Sequence, residues 1–219
     1  MAEGLKPAQS SGPASTNNLT QSPEHPPGSV LAVESRSDQQ PLSPASPIPR
    51  RIIQQIALTG FMGAGKTTVG RMLAKRLAWR FIDADTEIET ATGSTIAQLF
   101  LEHGEPWFRQ LEHETIRQLL TAPSIVLALG GGAIEDDRTR SLLLCSEGTQ
   151  LVHLEASLET VLLRCQGTES IRPVLQDQVN LENRYQRRLP LYRESHLTVV
   201  VDSLPPGAVV ESILENIRF

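Results

Sequence analysis

Eight consecutive residues restrict this chain to a small set of folds: Gly60-Phe61-Met62-Gly63-Ala64-Gly65-Lys66-Thr67. Glycines at both ends of such a loop let the backbone curl until its N–H groups point inward at an anion. The apolar run Ile52 to Thr59 precedes the loop, and the amphipathic stretch Lys66 to Leu77 follows it. That strand–loop–helix setting is the one in which this spacing cradles phosphates. The helix N-terminus adds a partial positive charge. Lys66 is a mobile point charge within reach of the outer phosphates, and the Thr67 hydroxyl is placed to ligate Mg²⁺. A merely structural turn needs neither of them. The loop residues expected to hold a nucleotide are Gly63, Ala64, Gly65, Lys66, Thr67 and Thr68. The motif establishes phosphate binding and leaves the reaction open.

Past the loop, short apolar runs alternate with amphipathic stretches. Strands are expected at Ile52 to Thr59, Arg80 to Ile82, Ile125 to Leu129, Gln150 to Leu154 and Leu197 to Val201. Helices are expected at Lys66 to Leu77, with Val69, Met72, Leu73 and Leu77 facing the core, and at Thr95 to Leu101. Further helices are expected at Glu105 to Leu120, Glu135 to Leu144, Ser157 to Cys165, Leu181 to Leu189 (stopped by Pro190) and Gly207 to Ile217. Five strands alternating with helices imply βαβ units and a parallel sheet covered on both faces. Ligands of such sheets bind beyond the C-terminal ends of the strands.

The first fifty residues differ in composition. Residues 1 to 49 hold 9 of the 15 prolines, and no aromatic ring occurs before Phe61. Such a segment cannot bury enough apolar surface to offset the entropy of ordering it. It is expected to be a disordered extension ahead of one domain of about 170 residues beginning near Arg51. The net charge of −5 argues against a general nucleic-acid partner and a polybasic membrane anchor. No apolar run reaches the ~20 residues that span a bilayer. Cys145 and Cys165 show neither disulfide nor metal spacing. A plastid transit peptide is the alternative for the Ser-rich tail, but Glu3, Glu24, Glu34 and Asp38 outnumber Lys6 and Arg36 there, so a cytoplasmic location is expected.

Several residues could turn phosphate binding into phosphate transfer. Asp83 and Asp85 lie two apart beyond a short strand, where extended backbone would aim both towards the loop. One could serve the metal, and the other could hold an acceptor hydroxyl and take its proton. Arg109 lies three residues before Glu112 in a helix, so the acid can fix the guanidinium. The pair is either an exposed ion pair or a fork for a carboxylate. Gly130-Gly131-Gly132 ends a strand where the sheet rule puts ligands. The polar stretch Gln166 to Gln178 fits a lid, in which Arg172 would meet developing negative charge. His103, His113, His153 and His196 show no convergent spacing, Tyr192 reads as packing, and Arg184, Arg187 and Arg193 read as surface cations.

The ordered motifs GFMGAGKTTVGRMLAKRL, FIDADTEIE, GEPWFRQLE, LALGGGA, RPVL and RRLPLY resemble the shikimate kinase family over nearly all of residues 55 to 202. The resemblance implies a P-loop three-layer α/β/α fold with a five-stranded parallel sheet and a small lid at about 165–178. It implies transfer of the γ-phosphate of ATP to the 3-hydroxyl of shikimate, with Mg²⁺, by a monomer. It assigns the metal side to Asp83 with Thr67, and the acceptor hydroxyl to Asp85. The acceptor carboxylate goes to Arg109 and Arg188, and further acceptor contacts to Gly131 and Gly132. Lys66, Asp85 and Arg172 become the catalytic set, and Arg164 resembles the residue that stacks on adenine. Two rivals stand beside this expectation: another small-molecule or nucleoside-monophosphate kinase on the same fold, and a catalytically silent binding protein.

Overall fold

The structure, a computed structural model, describes residues 52–166 and 178–217. In chain order these form β1 (Gln55–Thr59), α1 (Lys66–Leu77), β2 (Arg80–Asp83), α2 (Ala84–Thr92), α3 (Ile96–His103), α4 (Glu105–Leu119) and β3 (Ile125–Ala128). A 3₁₀ turn at Ala133–Glu135 follows, then α5 (Asp137–Cys145), β4 (Thr149–Glu155), α6 (Leu158–Cys165), α7 (Gln178–Arg193), β5 (Leu197–Val200) and α8 (Pro206–Asn216). The expected disordered extension, Arg172 and nearly all of the expected lid lie outside the described residues. No helix among the described residues is long and apolar enough to cross a membrane.

All five strands are parallel, in the order β2-β3-β1-β4-β5. β1 and β3 are buried at every position because helices cover both faces of the sheet centre. The edge strands keep exposed positions, such as Arg80 on β2 and Thr198 on β5. Gln55 is the polar exception on β1. Its amide donates to the carbonyls of Leu120 (3.2 Å) and Ala122 (3.1 Å), and its Oε1 accepts from Thr149 (3.3 Å). These bonds tie the end of α4 to the sheet and leave no buried amide orphaned.

The strand order also dictates where the helices go. From β1 the chain steps outward to β2, whereas from β3 it steps back across β1 to β4. Right-handed crossovers in opposite directions place their helices on opposite faces. α1 accordingly packs on β1, β2 and β3 and meets α8, while α5 packs on β4 and meets α4. A second, smaller apolar cluster of Ile88, Leu99 and Phe108 binds α2, α3 and α4 together beside the C-terminal edge of the sheet.

Three expectations need correction. Met72 is 41% exposed, because the buried face of α1 runs through Val69, Gly70, Leu73 and Ala74. The helix expected to start at Glu135 is two elements: the 3₁₀ turn ends at Glu135, and Asp136 caps α5 by accepting from the Thr139 N–H. Pro190 does not stop α7, which runs on to Arg193. The turn beyond Pro190 is held from outside the helix: Tyr192 is buried and bonds to Gly131, and Arg193 pairs with Glu155 at 2.6 Å. Those contacts offset the backbone bond that proline lacks.

Candidate active site

Connections leave β1 and β3 in opposite directions above adjacent strands, and a ligand crevice is expected at such a switch point. A cleft of about 950 Å³ opens there. Gly63, Ala64, Gly65, Lys66, Thr67, Thr68, Asp83, Asp85, Gly131, Gly132, Arg164 and Arg188 all line it. Of the remaining expected site residues, Arg109 lines a smaller neighbouring hollow with Glu105, Pro106, Glu135, Asp136 and Arg138, and its guanidinium meets the cleft's glycine run at Gly132; Arg172 is not among the described residues.

The loop between β1 and α1 has the expected form. Gly63 (φ 74°) and Gly65 (φ 97°) adopt left-handed backbone, which residues with a side chain rarely accept. Gly65 caps α1 without a side-chain bond, so no side chain of the cap covers the first-turn amides. Lys66 Nζ donates to the carbonyls of Gly60 (2.8 Å) and Phe61 (3.1 Å), folding the ammonium over the loop.

Asp83 and Asp85 both line the cleft, but not as side-by-side groups on extended backbone. Asp83 ends β2 with extended angles, and Ala84 already begins α2, so Asp85 sits in a helical first turn. The helical twist sends the two acids to different neighbours. Asp83 Oδ2 accepts from the Thr67 hydroxyl at 3.0 Å, beside the loop. Asp85 lies over Gly130, where a β-carbon would come within 2.7 Å of its Oδ1 and 2.8 Å of Glu112 Oε1. Burial raises the Asp85 carboxyl above the ordinary aspartate range, and the Asp83 charge adds to the shift. Thr67 and Asp83 together offer two hard oxygens at the loop mouth. Mg²⁺ keeps several waters and phosphate ligands and needs few from protein, so this pair fits it.

Arg109 is held by two carboxylates of its own helix: Glu112 Oε2 at 2.6 Å and Glu105 Oε1 at 3.0 Å. Its guanidinium also lies against the rings of Phe100 and Phe108. Glu112 is 1% exposed, and its other oxygen, Oε1, has no partner. Burial pushes Glu112 up to about 7, with Asp85 and Asp136 adding to the shift and Arg109 opposing it. Arg188 approaches from α7 and is also buried. The two arginines converge on Gly132: a β-carbon there would collide with Arg109 Nη2 and come within 3.0 Å of Arg188 Nη2. The glycine run thus makes room for charged side chains as well as baring its backbone.

Three features escaped the sequence reading. Glu135 bonds to both Arg188 and Arg187, so Arg187 is paired although its side chain is 66% exposed. Tyr192 does more than pack: its hydroxyl donates to the Gly131 carbonyl, and its ring stacks on His153 at 5.1 Å. The far end of the cleft is an apolar shelf of Val201, Leu204, Pro206 and Val209 at the start of α8. Arg164 faces this shelf and donates to the Val201 carbonyl at 2.7 Å. Nothing local marks the shelf in the sequence, since its residues read as an ordinary strand end and helix start.

A phosphate loop at a switch point, with acids at the end of β2 one strand beyond β3, defines the small phosphate-loop kinases of α/β type. A family model described as shikimate kinase matches residues 62–218. The shikimate kinase of Nitrobacter winogradskyi is 41% identical over 164 residues, covering 74% of this chain and 75% of that protein. That of Pseudomonas entomophila is 41% identical over 170 residues, covering 76% and 97%. The solved shikimate kinase from Acinetobacter baumannii, in complex with shikimate, superposes with a TM-score of 0.69 at 37% identity and covers 75% of this chain and 93% of its own. The chain belongs to the shikimate kinase family.

Proposed function

We propose that the protein transfers the γ-phosphoryl group of ATP to the 3-hydroxyl of shikimate, giving shikimate 3-phosphate and ADP. The observation that carries the acceptor is the pair of guanidinium groups, Arg109 and Arg188, meeting at Gly132, two residues along the glycine run from Gly130, which Asp85 overlies. Two converging planar forks suit a carboxylate, and an acid beside them suits a hydroxyl on the same small ring. Adenylate, an acceptor of the rival nucleoside-monophosphate kinases, has no carboxylate for such a fork to hold; gluconate has one, and the acceptor panel below separates it from shikimate.

In this reading the triphosphate lies in the loop from Gly63 to Thr68, with Lys66 on the outer phosphates. Adenine stacks on Arg164 beside the shelf at Pro206. Thr67 and Asp83 hold Mg²⁺, which neutralises charge on the phosphate oxygens when bound. Asp85 accepts a hydrogen bond from the acceptor hydroxyl and takes its proton as the bond to phosphorus forms. Its raised carboxyl suits a group that must gain a proton in the reaction. Lys66, and Arg172 from the lid, stabilise the charge on the transferring group. Arg109, Arg188, Gly131 and Gly132 position the acceptor.

We further propose a monomeric, cytoplasmic enzyme whose residues 1–50 are dispensable for turnover. ADP release measured with shikimate, gluconate and AMP as acceptors tests the function. Shikimate alone should support turnover, and Lys66→Met and Asp85→Asn should each nearly abolish it. Turnover with another acceptor but not with shikimate would replace this reading with a different kinase, and no turnover at all would favour a silent binding protein.

A further inference from the structure

We propose that Glu135 is a positioning residue for acceptor binding: it grips the Arg188 guanidinium by one edge and so turns the other edge towards Arg109 and the acceptor carboxylate. The inference rests on the shikimate reading above. Glu135 Oε2 receives both Nε (2.7 Å) and Nη2 (2.6 Å) of Arg188. Its other oxygen, Oε1, receives Nε (2.9 Å) and Nη2 (2.7 Å) of Arg187. One carboxylate thus spans two consecutive arginines of α7, and with both oxygens engaged it cannot rotate about its own axis.

The grip matters because of which edge it takes. A guanidinium has five N–H donors in a rigid plane. Glu135 takes the Nε side, so Nη1 and the second hydrogen of Nη2 are directed elsewhere, on a guanidinium that also bonds to the Tyr192 hydroxyl. Those nitrogens lie over the glycine run, Nη1 at 3.7 Å from the place of a Gly131 β-carbon and Nη2 at 3.0 Å from that of Gly132. Arg109 Nη2 occupies the same space from the other side. Each arm of the fork therefore has its own holder: Glu112 and Glu105 for Arg109, and Glu135 for Arg188.

Glu135 is itself firmly mounted. Its N–H donates to the Gly132 carbonyl at 3.0 Å, Ala133 and Ile134 before it are fully buried, and Asp136 after it caps α5. The holder is thus built into the glycine turn that the acceptor approaches, and any shift of that turn moves Arg188 with it. Arg187 is mostly exposed, so its pair adds little stability, and its effect is to fix the carboxylate's orientation. A holder and a competitor predict opposite results. If Glu135 competed with the acceptor for Arg188, removing it would tighten binding. Because it occupies the Nε edge and not the edge over Gly131, removing it should loosen binding.

The test is a kinetic comparison of Glu135→Ala, Glu135→Gln, Arg188→Ala and the double variant Glu135→Ala/Arg188→Ala, with shikimate and ATP titrated separately. Glu135→Ala should raise the KM for shikimate by roughly tenfold, the scale of one charge-assisted hydrogen bond. Its kcat and its KM for ATP should stay within about twofold of wild type, since neither depends on this contact. Glu135→Gln, whose amide oxygen can still accept from Arg188, should recover most of the loss. In the Arg188→Ala background the Glu135→Ala change should have no further effect, which a purely structural role would not produce. A lower KM for shikimate, equal losses in both backgrounds, or a matching rise in the KM for ATP would each overturn the proposal. Failure of the wild type to phosphorylate shikimate would sink the function and this inference together, whereas any of those variant results with an active wild type would sink the inference alone.

Discussion

Gly132→Ala isolates the acceptor fork from the rest of the enzyme. The backbone at Gly132 has φ −103° and ψ −5°, which alanine adopts without strain, so the substitution costs nothing in conformation. Its only consequence is the added methyl group, which would collide with Arg109 Nη2 and press on Arg188 Nη2 at 3.0 Å. Arg109 cannot simply swing away. It is bonded to Glu112 at 2.6 Å and to Glu105 at 3.0 Å, and two aromatic rings flank it. Making room therefore means giving up about one charge-assisted hydrogen bond, either to a holding acid or to the acceptor, at about 1.5–3 kcal/mol. That corresponds to a rise of roughly tenfold to a hundredfold in the KM for shikimate. Loop and metal side are untouched, so the KM for ATP should hold, and circular dichroism should report an unchanged fold. The assay is coupled ADP release with shikimate titrated at saturating ATP. An unchanged shikimate KM in a folded variant would refute the convergence of the two arginines on this glycine.

Other perturbations probe other parts of the site. Asp83→Asn should raise the Mg²⁺ concentration needed for half-maximal rate by about tenfold or more, as loss of an orienting acid does elsewhere; a magnesium titration with the same half-point as wild type would remove Asp83 from the metal side. Glu112, raised by burial to about 7, is protonated more in the folded than in the unfolded protein, so its contribution to stability is complete below about 4.5 and is lost as pH rises through about 7. Glu112→Gln should flatten that part of the stability profile in calorimetric scans, and an unaltered slope would count against it. His153 is lowered by burial to about 4 and is neutral when folded; its contribution is present above about 6.5 and is lost as pH falls through about 4. His153→Phe keeps a ring over Tyr192 and should make the protein more resistant to acid in that window; equal acid sensitivity would show that other groups dominate.

The form of the phosphate loop was legible almost completely, because loop, lysine and threonine are contiguous and their spacing is itself the geometry. α1 was legible to its last residue for a related reason: the loop sets its start, and its apolar period sets its length. The proposed acceptor half was harder to read. Arg109 and Arg188 lie on different helices, and only the fold brings them over Gly132. Glu135 was invisible as a partner because its acid reads as the ordinary first turn of a helix, and its role depends on a contact across 53 positions to Arg188. Asp83 and Asp85 both line the cleft, but not by the expected local geometry, since the helix begins one residue earlier than extended backbone would require. Pro190 misled for a different reason: its local cost is real, but the turn beyond it is held by the buried Tyr192 and its bond to Gly131.

The arginine fork is proposed to seat the acceptor with one chosen hydroxyl against Asp85 and the phosphate loop. The most direct measurement is phosphorus–proton correlation NMR on the product formed from shikimate, ATP and Mg²⁺. A single phosphate ester on the 3-hydroxyl is expected. A phosphate on another hydroxyl, a mixture of positions, or unmodified shikimate beside released ADP would contradict it.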